Sequence, residues 1–127
     1  MSEVRKILVI EDDPLTREWL ESLLTRNGYE VQTAANGREG IDQFRKEQSD
    51  LVITDIVMPE KDGIETITDL KRHHPGVKII AISGGERRPE GMSKNYLHSA
   101  KLLGANRAMQ KPIVNQDLLE AVRELLN

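Results

Sequence analysis

Five residues of this chain carry side chains suited to phosphate chemistry, and four of them close or follow an apolar run: Glu11, Asp12, Asp55 and Ser83, with Lys111 the fifth. Glu11 and Asp12 follow Ile7-Leu8-Val9-Ile10, Asp55 ends Leu51-Val52-Ile53-Thr54, and Ser83 follows Ile79-Ile80-Ala81-Ile82. Lys111 follows the short stretch Arg107 to Gln110. Three carboxylates drawn together repel: two charges ~4 Å apart at an effective dielectric of ~20 interact by roughly 4 kcal/mol. Such a group holds a proton or a cation. Oxygen-only donors select a hard ion, and Mg²⁺ fits best, because it takes one or two carboxylates, keeps waters and leaves room for a phosphate. With the repulsion screened, Asp55 can attack phosphorus and form an aspartyl phosphate. Lys111 would meet the phosphoryl oxygens as a point charge, and the Ser83 hydroxyl would donate to another oxygen.

These residues meet only if the elements before them share an edge. Ile7 to Ile10, Leu51 to Thr54 and Ile79 to Ile82 read as strands buried on both faces, as in parallel sheets. Tyr29, Val31 and Thr33 alternate with polar residues as a half-buried strand, and Arg107 to Gln110 reads as a short fifth strand. Between them lie helical patterns. Pro14 opens the first, with Asp13 as N-cap and Asn27-Gly28 as its stop; Leu15, Trp19, Leu20, Leu23 and Leu24 form its apolar face. Ile41 and Phe44 mark a second, polar helix running to about Glu47, weakened by Gly40 inside it. Ile64, Ile67 and Leu70 mark a third, ended by His73-His74-Pro75-Gly76. A fourth is expected from about Ser93 to Leu103, with Leu97, Ala100 and Leu103 inward and Gly104 as its cap. A fifth spans about Asn115 to Leu126, with Asn115 as N-cap and Leu118, Leu119, Val122, Leu125 and Leu126 on its apolar face. The alternation predicts an α/β, doubly wound, flavodoxin-like fold: a parallel sheet with helices on both faces. Right-handed crossovers place all strand ends on one edge. In the order 2-1-3-4-5 the first and third strands are central neighbours, where ligands gather at the reversal of topology.

Taken together, the residues resemble the receiver domain of two-component response regulators. The resemblance rests on Glu11-Asp12 after the first strand, Asp55 before Met58-Pro59 and Asp62-Gly63, Ser83 after the fourth strand, and Lys111-Pro112 after the fifth, and it covers nearly the whole chain. It implies that Asp55 accepts a phosphoryl group from a histidine kinase or a phosphotransfer protein. It also implies that Asp12 and Asp55 bind Mg²⁺ directly, that Glu11 acts through water, that the Val57 backbone carbonyl is a further ligand, and that the Lys111-Pro112 peptide is cis. The output face would be the fourth helix, fifth strand and fifth helix, acting on an unknown downstream protein. Three positions depart from the family's pattern. Ala108 stands where an aromatic often lies three residues before the lysine. Val57 and Gly85, each two residues past a site residue, bear on the lifetime of the acyl phosphate. The connection Gly84 to Met92 is longer than usual and charged, so it is expected to take the role of the missing aromatic and reorder on phosphorylation.

Composition narrows the class. A chain of 127 residues suits one domain, so residues 1–127 are expected to form a single receiver without an effector domain. Eighteen Lys and Arg against twenty-one Asp and Glu give a net charge of −3, which argues against a nucleic-acid partner of the chain itself. One Trp, two Tyr and one Phe are too few for a base-stacking platform. Cysteine is absent, which removes disulfides and thiolate metal sites. No apolar run approaches the ~18 residues of a membrane span, and no signal-peptide core is visible, so no membrane insertion and a cytoplasmic location are expected. The chain is expected to be a phosphoacceptor regulator rather than an enzyme, with no catalysis beyond its own phosphorylation and dephosphorylation. His73, His74 and His98 read as ordinary helix residues, not relay groups. Two rivals exist. A haloacid dehalogenase-like phosphatase also uses a strand-end Asp, but wants a second Asp two residues on, where this chain has Val57. A degenerate receiver would act as a phosphorylation-independent binding module, but here every site position is filled.

Overall fold

The architecture comes from a computed structural model that describes residues 4–56, 63–83, 100–101 and 103–126. Five strands, β1 (Lys6–Ile10), β2 (Glu30–Ala34), β3 (Leu51–Asp55), β4 (Lys78–Ser83) and β5 (Arg107–Gln110), form one sheet in the order β2-β1-β3-β4-β5. Every pairing is parallel. Four helices are assigned among the described residues: α1 (Pro14–Arg26), α2 (Gly37–Lys46), α3 (Gly63–His73) and α4 (Asn115–Leu126). α4 is the fifth helix of the sequence reading. The helix expected from Ser93 to Leu103 lies largely outside the described residues, although Ala100 and Lys101 are helical. No helix among the described residues is long and apolar enough to cross a membrane.

The apolar runs are buried on both sides because strand side chains alternate between faces. Ile7, Val9, Leu51, Ile53, Ile80 and Ile82 face one layer, packed on Leu20, Leu23 and Leu24 of α1 and Leu118, Val122 and Leu126 of α4. Leu8, Ile10, Val52, Ile79 and Ala81 face the other, against Ile41 and Phe44 of α2 and Ile67 and Leu70 of α3. Each fully buried aliphatic side chain contributes about 1.5–3 kcal/mol. These contacts hold β1 and β3 in register, with Ile10 beside Thr54, so the chain leaves both strands at the same edge.

The helix ends are set locally. Asp13 caps α1, its Oδ2 accepting from the Thr16 N–H at 3.0 Å and the Thr16 hydroxyl at 2.6 Å. Gly28, at φ +95°, turns the chain out of that helix, a conformation side chains resist. Four expectations need correction. Leu15 is 76% exposed: it sits in the first turn of α1, before that helix packs on the sheet. Leu103 is 39% exposed rather than inward, since it lies at the turn into Gly104 (φ +119°). Asn115 is the first residue of α4 rather than its cap, because the Leu118 N–H already bonds to the Val114 carbonyl. Gly40 is not merely a weak point of α2, since a Cβ there would lie 2.3 Å from Ile10 Cδ1. Its bareness lets the helix approach β1.

Candidate phosphoacceptor and metal site

The shared edge of β1, β3, β4 and β5 collects the strand-end residues. Asp55, the last residue of β3, is 4% exposed, Glu11 1% and Ser83 0%. Lys111, just past β5, joins them. Its Nζ donates to Glu11 Oε1 at 2.9 Å and to Asp55 Oδ2 at 3.0 Å. The lysine is anchored at its backbone too, its N–H donating to the Ser83 carbonyl at 2.7 Å. The Lys111-Pro112 peptide is cis, as the resemblance implied.

Glu11 is held at several points. Its backbone N–H donates to the Ala34 carbonyl at 3.0 Å, and its Oε2 accepts from the Asp13 N–H at 3.1 Å. With Oε1 on Lys111, the carboxylate engages the lysine directly, a contact the sequence reading did not anticipate. Carboxylate oxygens of Glu11, Asp12 and Asp55 all lie within 4.8 Å of one another. The predicted convergence of the three acids, the ammonium and the strand end carrying Ser83 is therefore present.

The electrostatics follow from that crowding. Burial, reinforced by the charge of Asp55, pushes the Glu11 carboxyl up to about 7, although the bond from Lys111 pulls the other way. Burial also disfavours the Lys111 ammonium. The hydrogen bond to Glu11 and the charges of Asp55 and Glu11 outweigh it, so its pKa is raised. Ser83 Oγ is buried and makes no hydrogen bond among the described residues, which leaves a hydroxyl available to an incoming oxygen. The three acids offer only hard oxygen donors in a compact set, which fits a small divalent cation such as Mg²⁺.

Gly63 was read as turn chemistry, but it has a closer tie to the site. Its N–H donates to the Ile56 carbonyl at 2.7 Å. A Cβ on it would stand 2.3 Å from the Asp55 carbonyl oxygen and 2.4 Å from Ile56 Cα. The Asp-Gly pair in sequence signals a turn; the approach of α3 to the Asp55 backbone is not encoded in that pair. Ala108 is half-buried on β5 and lies in a groove of about 320 Å³ with Arg107, Met109, Asp117, Glu120, Ala121 and Glu124. His73 is the last residue of α3, whereas His74, expected in the helix, lies just past its end; near the opposite edge of the sheet His74 lines a cavity with Arg5 and Asp50. Val57, Gly85, His98 and the connection Gly84 to Met92 lie outside the described residues.

Comparison with known proteins agrees with this geometry. Residues 7–123 match the response regulator receiver domain family. The chain is similar to the chemotaxis protein CheY of Thermotoga maritima, 30% identical over 122 residues covering 95% of this chain and 97% of that protein. It is 41% identical over 83 residues to the probable C4-dicarboxylate response regulator DctR of Bacillus subtilis, a match covering 64% of this chain and 37% of DctR. The crystal structure of a response regulator receiver domain protein from Clostridium thermocellum superposes with a TM-score of 0.88 at 31% identity, covering 98% of this chain and 95% of that one. The chain spans about half or less of several other curated relatives, among them proteins named as transcriptional regulators. The expectation that no nucleic acid is involved therefore has no support from the relatives.

Proposed function

The chain belongs to the response regulator receiver domain family, and from that premise we propose that Asp55 is its phosphoacceptor, with Lys111 and Ser83 as the groups that meet the phosphoryl oxygens. The observation that carries the reading is the Lys111 ammonium. It lies 3.0 Å from Asp55 and 2.9 Å from Glu11, although 56 and 100 residues separate it from them in sequence.

In the proposed reaction an Asp55 carboxylate oxygen forms a bond to phosphorus. The bond from phosphorus to the donor's imidazole nitrogen breaks, and its electron pair stays on that nitrogen. Lys111, already beside Asp55, compensates charge on the phosphoryl oxygens, and the Ser83 hydroxyl donates to one of them. Asp12 and Asp55 would hold Mg²⁺, with Glu11 beside them and the Val57 carbonyl as a further ligand. The ion would supply charge neutralisation to the phosphoryl group. The donor would be a histidine kinase or a phosphotransfer protein, and the chain would be no enzyme beyond its own phosphorylation and hydrolysis. The added charge would bias the segment 84–92 and the face formed by the helix expected over about 93–103, β5 and α4 toward a partner-binding state. Residues 1–127 are read as one receiver.

Incubation with acetyl phosphate and Mg²⁺, followed by mass spectrometry, tests the reading. The expected result is an adduct of one phosphoryl group that maps to Asp55, needs Mg²⁺ and is absent from Asp55→Asn. An intact wild-type chain that gains no mass would leave a phosphorylation-independent binding module. Turnover of a small phosphate ester would favour a phosphatase. Hydrogen exchange across residues 84–92 with and without beryllofluoride tests the output change, which an identical exchange pattern would refute.

A further inference from the structure

The acidic turn after β1 is gripped by a residue outside the set of site residues. Arg17, in the first turns of α1, is half-buried, and its Nη1 donates to the Glu11 carbonyl oxygen at 2.9 Å. That carbonyl belongs to the peptide joining Glu11 to Asp12. The same residue's backbone N–H donates to the Asp13 carbonyl at 2.9 Å. Arg17 thus contacts the turn on both sides of Asp12, once through its side chain and once through its backbone. The bond from Nη1 to Glu11 is charge-assisted, the stronger kind.

We propose that Arg17 is a positioning residue for the metal: by fixing the Glu11–Asp12 peptide it sets the direction in which Asp12 presents its carboxylate. This rests on reading the acids as a Mg²⁺ site. Two effects of opposite sign are at stake. As a cation, Arg17 repels an incoming Mg²⁺. As a clamp, it holds a ligand in place before the ion arrives. The half-exposed guanidinium is screened by solvent, whereas groups that orient metal ligands typically change affinity about 10- to 100-fold when lost. The clamp should therefore dominate, and the sign of the effect separates the two.

The test is a Mg²⁺ titration of wild type, Arg17→Met and Arg17→Lys, followed by the backbone amide NMR shifts of Asp12 and Asp13. Alongside it, the rate at which acetyl phosphate modifies Asp55 is measured as a function of Mg²⁺. Arg17→Met should raise the half-saturating Mg²⁺ concentration about tenfold in both readouts, while the rate at saturating Mg²⁺ stays near wild type. Arg17→Lys, which keeps a cationic donor able to reach the same carbonyl, should recover most of the loss. Equal or tighter Mg²⁺ binding by Arg17→Met would overturn the assignment, and so would a loss that Lys does not repair or a rate deficit that persists at saturation. If Arg17→Met does not fold, Arg17→Leu, which likewise removes the donor, is read against the same criteria. A wild-type chain whose amides do not respond to Mg²⁺ would overturn the metal reading itself. A responsive wild type with an indifferent variant would overturn the role of Arg17 alone.

Discussion

Replacing Gly63 with Ala should damage both the fold and the setting of Asp55, and the reason is steric rather than conformational. The added Cβ would meet the Asp55 carbonyl oxygen at 2.3 Å and Ile56 Cα at 2.4 Å, where real Cβ contacts do not fall below 3.0 Å. Neither obstacle is the end of a flexible side chain; both are backbone at the end of β3. To make room, the start of α3 must back away from the residue after the strand, stretching the 2.7 Å bond from the Gly63 N–H to the Ile56 carbonyl. Overpacking costs about 1–3 kcal/mol, and backbone obstacles put this case at the upper end. The gain from replacing glycine in a helix, about 1 kcal/mol at most, offsets part of that. The expected net loss is about 2 kcal/mol, a lowering of the melting temperature by roughly 6–12 °C.

A displaced Asp55 backbone also moves the carboxylate proposed as the nucleophile. Misplacement on the order of 1 Å can cost about a hundredfold in rate, so acetyl phosphate labelling of Gly63→Ala should slow by about ten- to a hundredfold at temperatures where it remains folded. Urea unfolding gives the stability and mass spectrometry gives the labelling rate. Gly76→Ala is the control, since a Cβ at Gly76 meets nothing within 4 Å, and it should change neither quantity beyond about 0.5 kcal/mol or twofold. If Gly63→Ala matched that control in both assays, the reasoning from close approach would be wrong.

Other variants probe the charges. Lys111→Met removes the cation that contacts Glu11 and Asp55, so labelling should slow about a hundredfold, in the range for losing one electrostatic stabiliser. In the presence of a chelator its stability should fall by about 3 kcal/mol at pH 8 and by less at pH 5, where Glu11 takes up a proton; an equal loss at both values would count against the buried-pair account. In wild type, Glu11 is raised from 4.5 to about 7. The folded chain therefore binds that proton more tightly than the unfolded chain, and stability is highest below 4.5 and declines as pH rises through 7. The decline from this group is about 3 kcal/mol at 1.36 kcal/mol per unit. Urea melts with chelator from pH 5 to 8.5 should show this slope in wild type and not in Glu11→Gln; parallel slopes would refute it. Gly40→Ala should destabilise by about 1–2 kcal/mol, because its Cβ would lie 2.3 Å from the Cδ1 of Ile10, yet leave labelling of Asp55 unchanged, as equilibrium unfolding and mass spectrometry can check.

The parts of this molecule that were legible in its sequence share a physical basis. A strand buried on both faces must be apolar at every position, so Ile7 to Ile10, Leu51 to Ile53 and Ile79 to Ile82 announce themselves. In a parallel sheet the residues that end such runs share one edge, which is why Asp12, Asp55, Ser83 and Lys111 could be grouped before any distance was known. What stayed hidden depends on approach, which sequence period does not encode. Leu15 repeats in phase with Leu23, yet the first turn of α1 projects past the sheet and exposes it. Gly40 and Gly63 look like a helix defect and a turn, while their purpose is the missing Cβ facing Ile10 and the Asp55 backbone. Arg17 looks like any charge on an amphipathic helix until its guanidinium is found on the Glu11 carbonyl. Leu15 apart, each hidden feature is a contact with backbone or packed core from a residue whose type alone predicts solvent or a turn. Strand-end side chains thus stand out in the sequence more readily than the contacts that hold them in position, and substitutions of the latter kind are the sharper test of the proposed function.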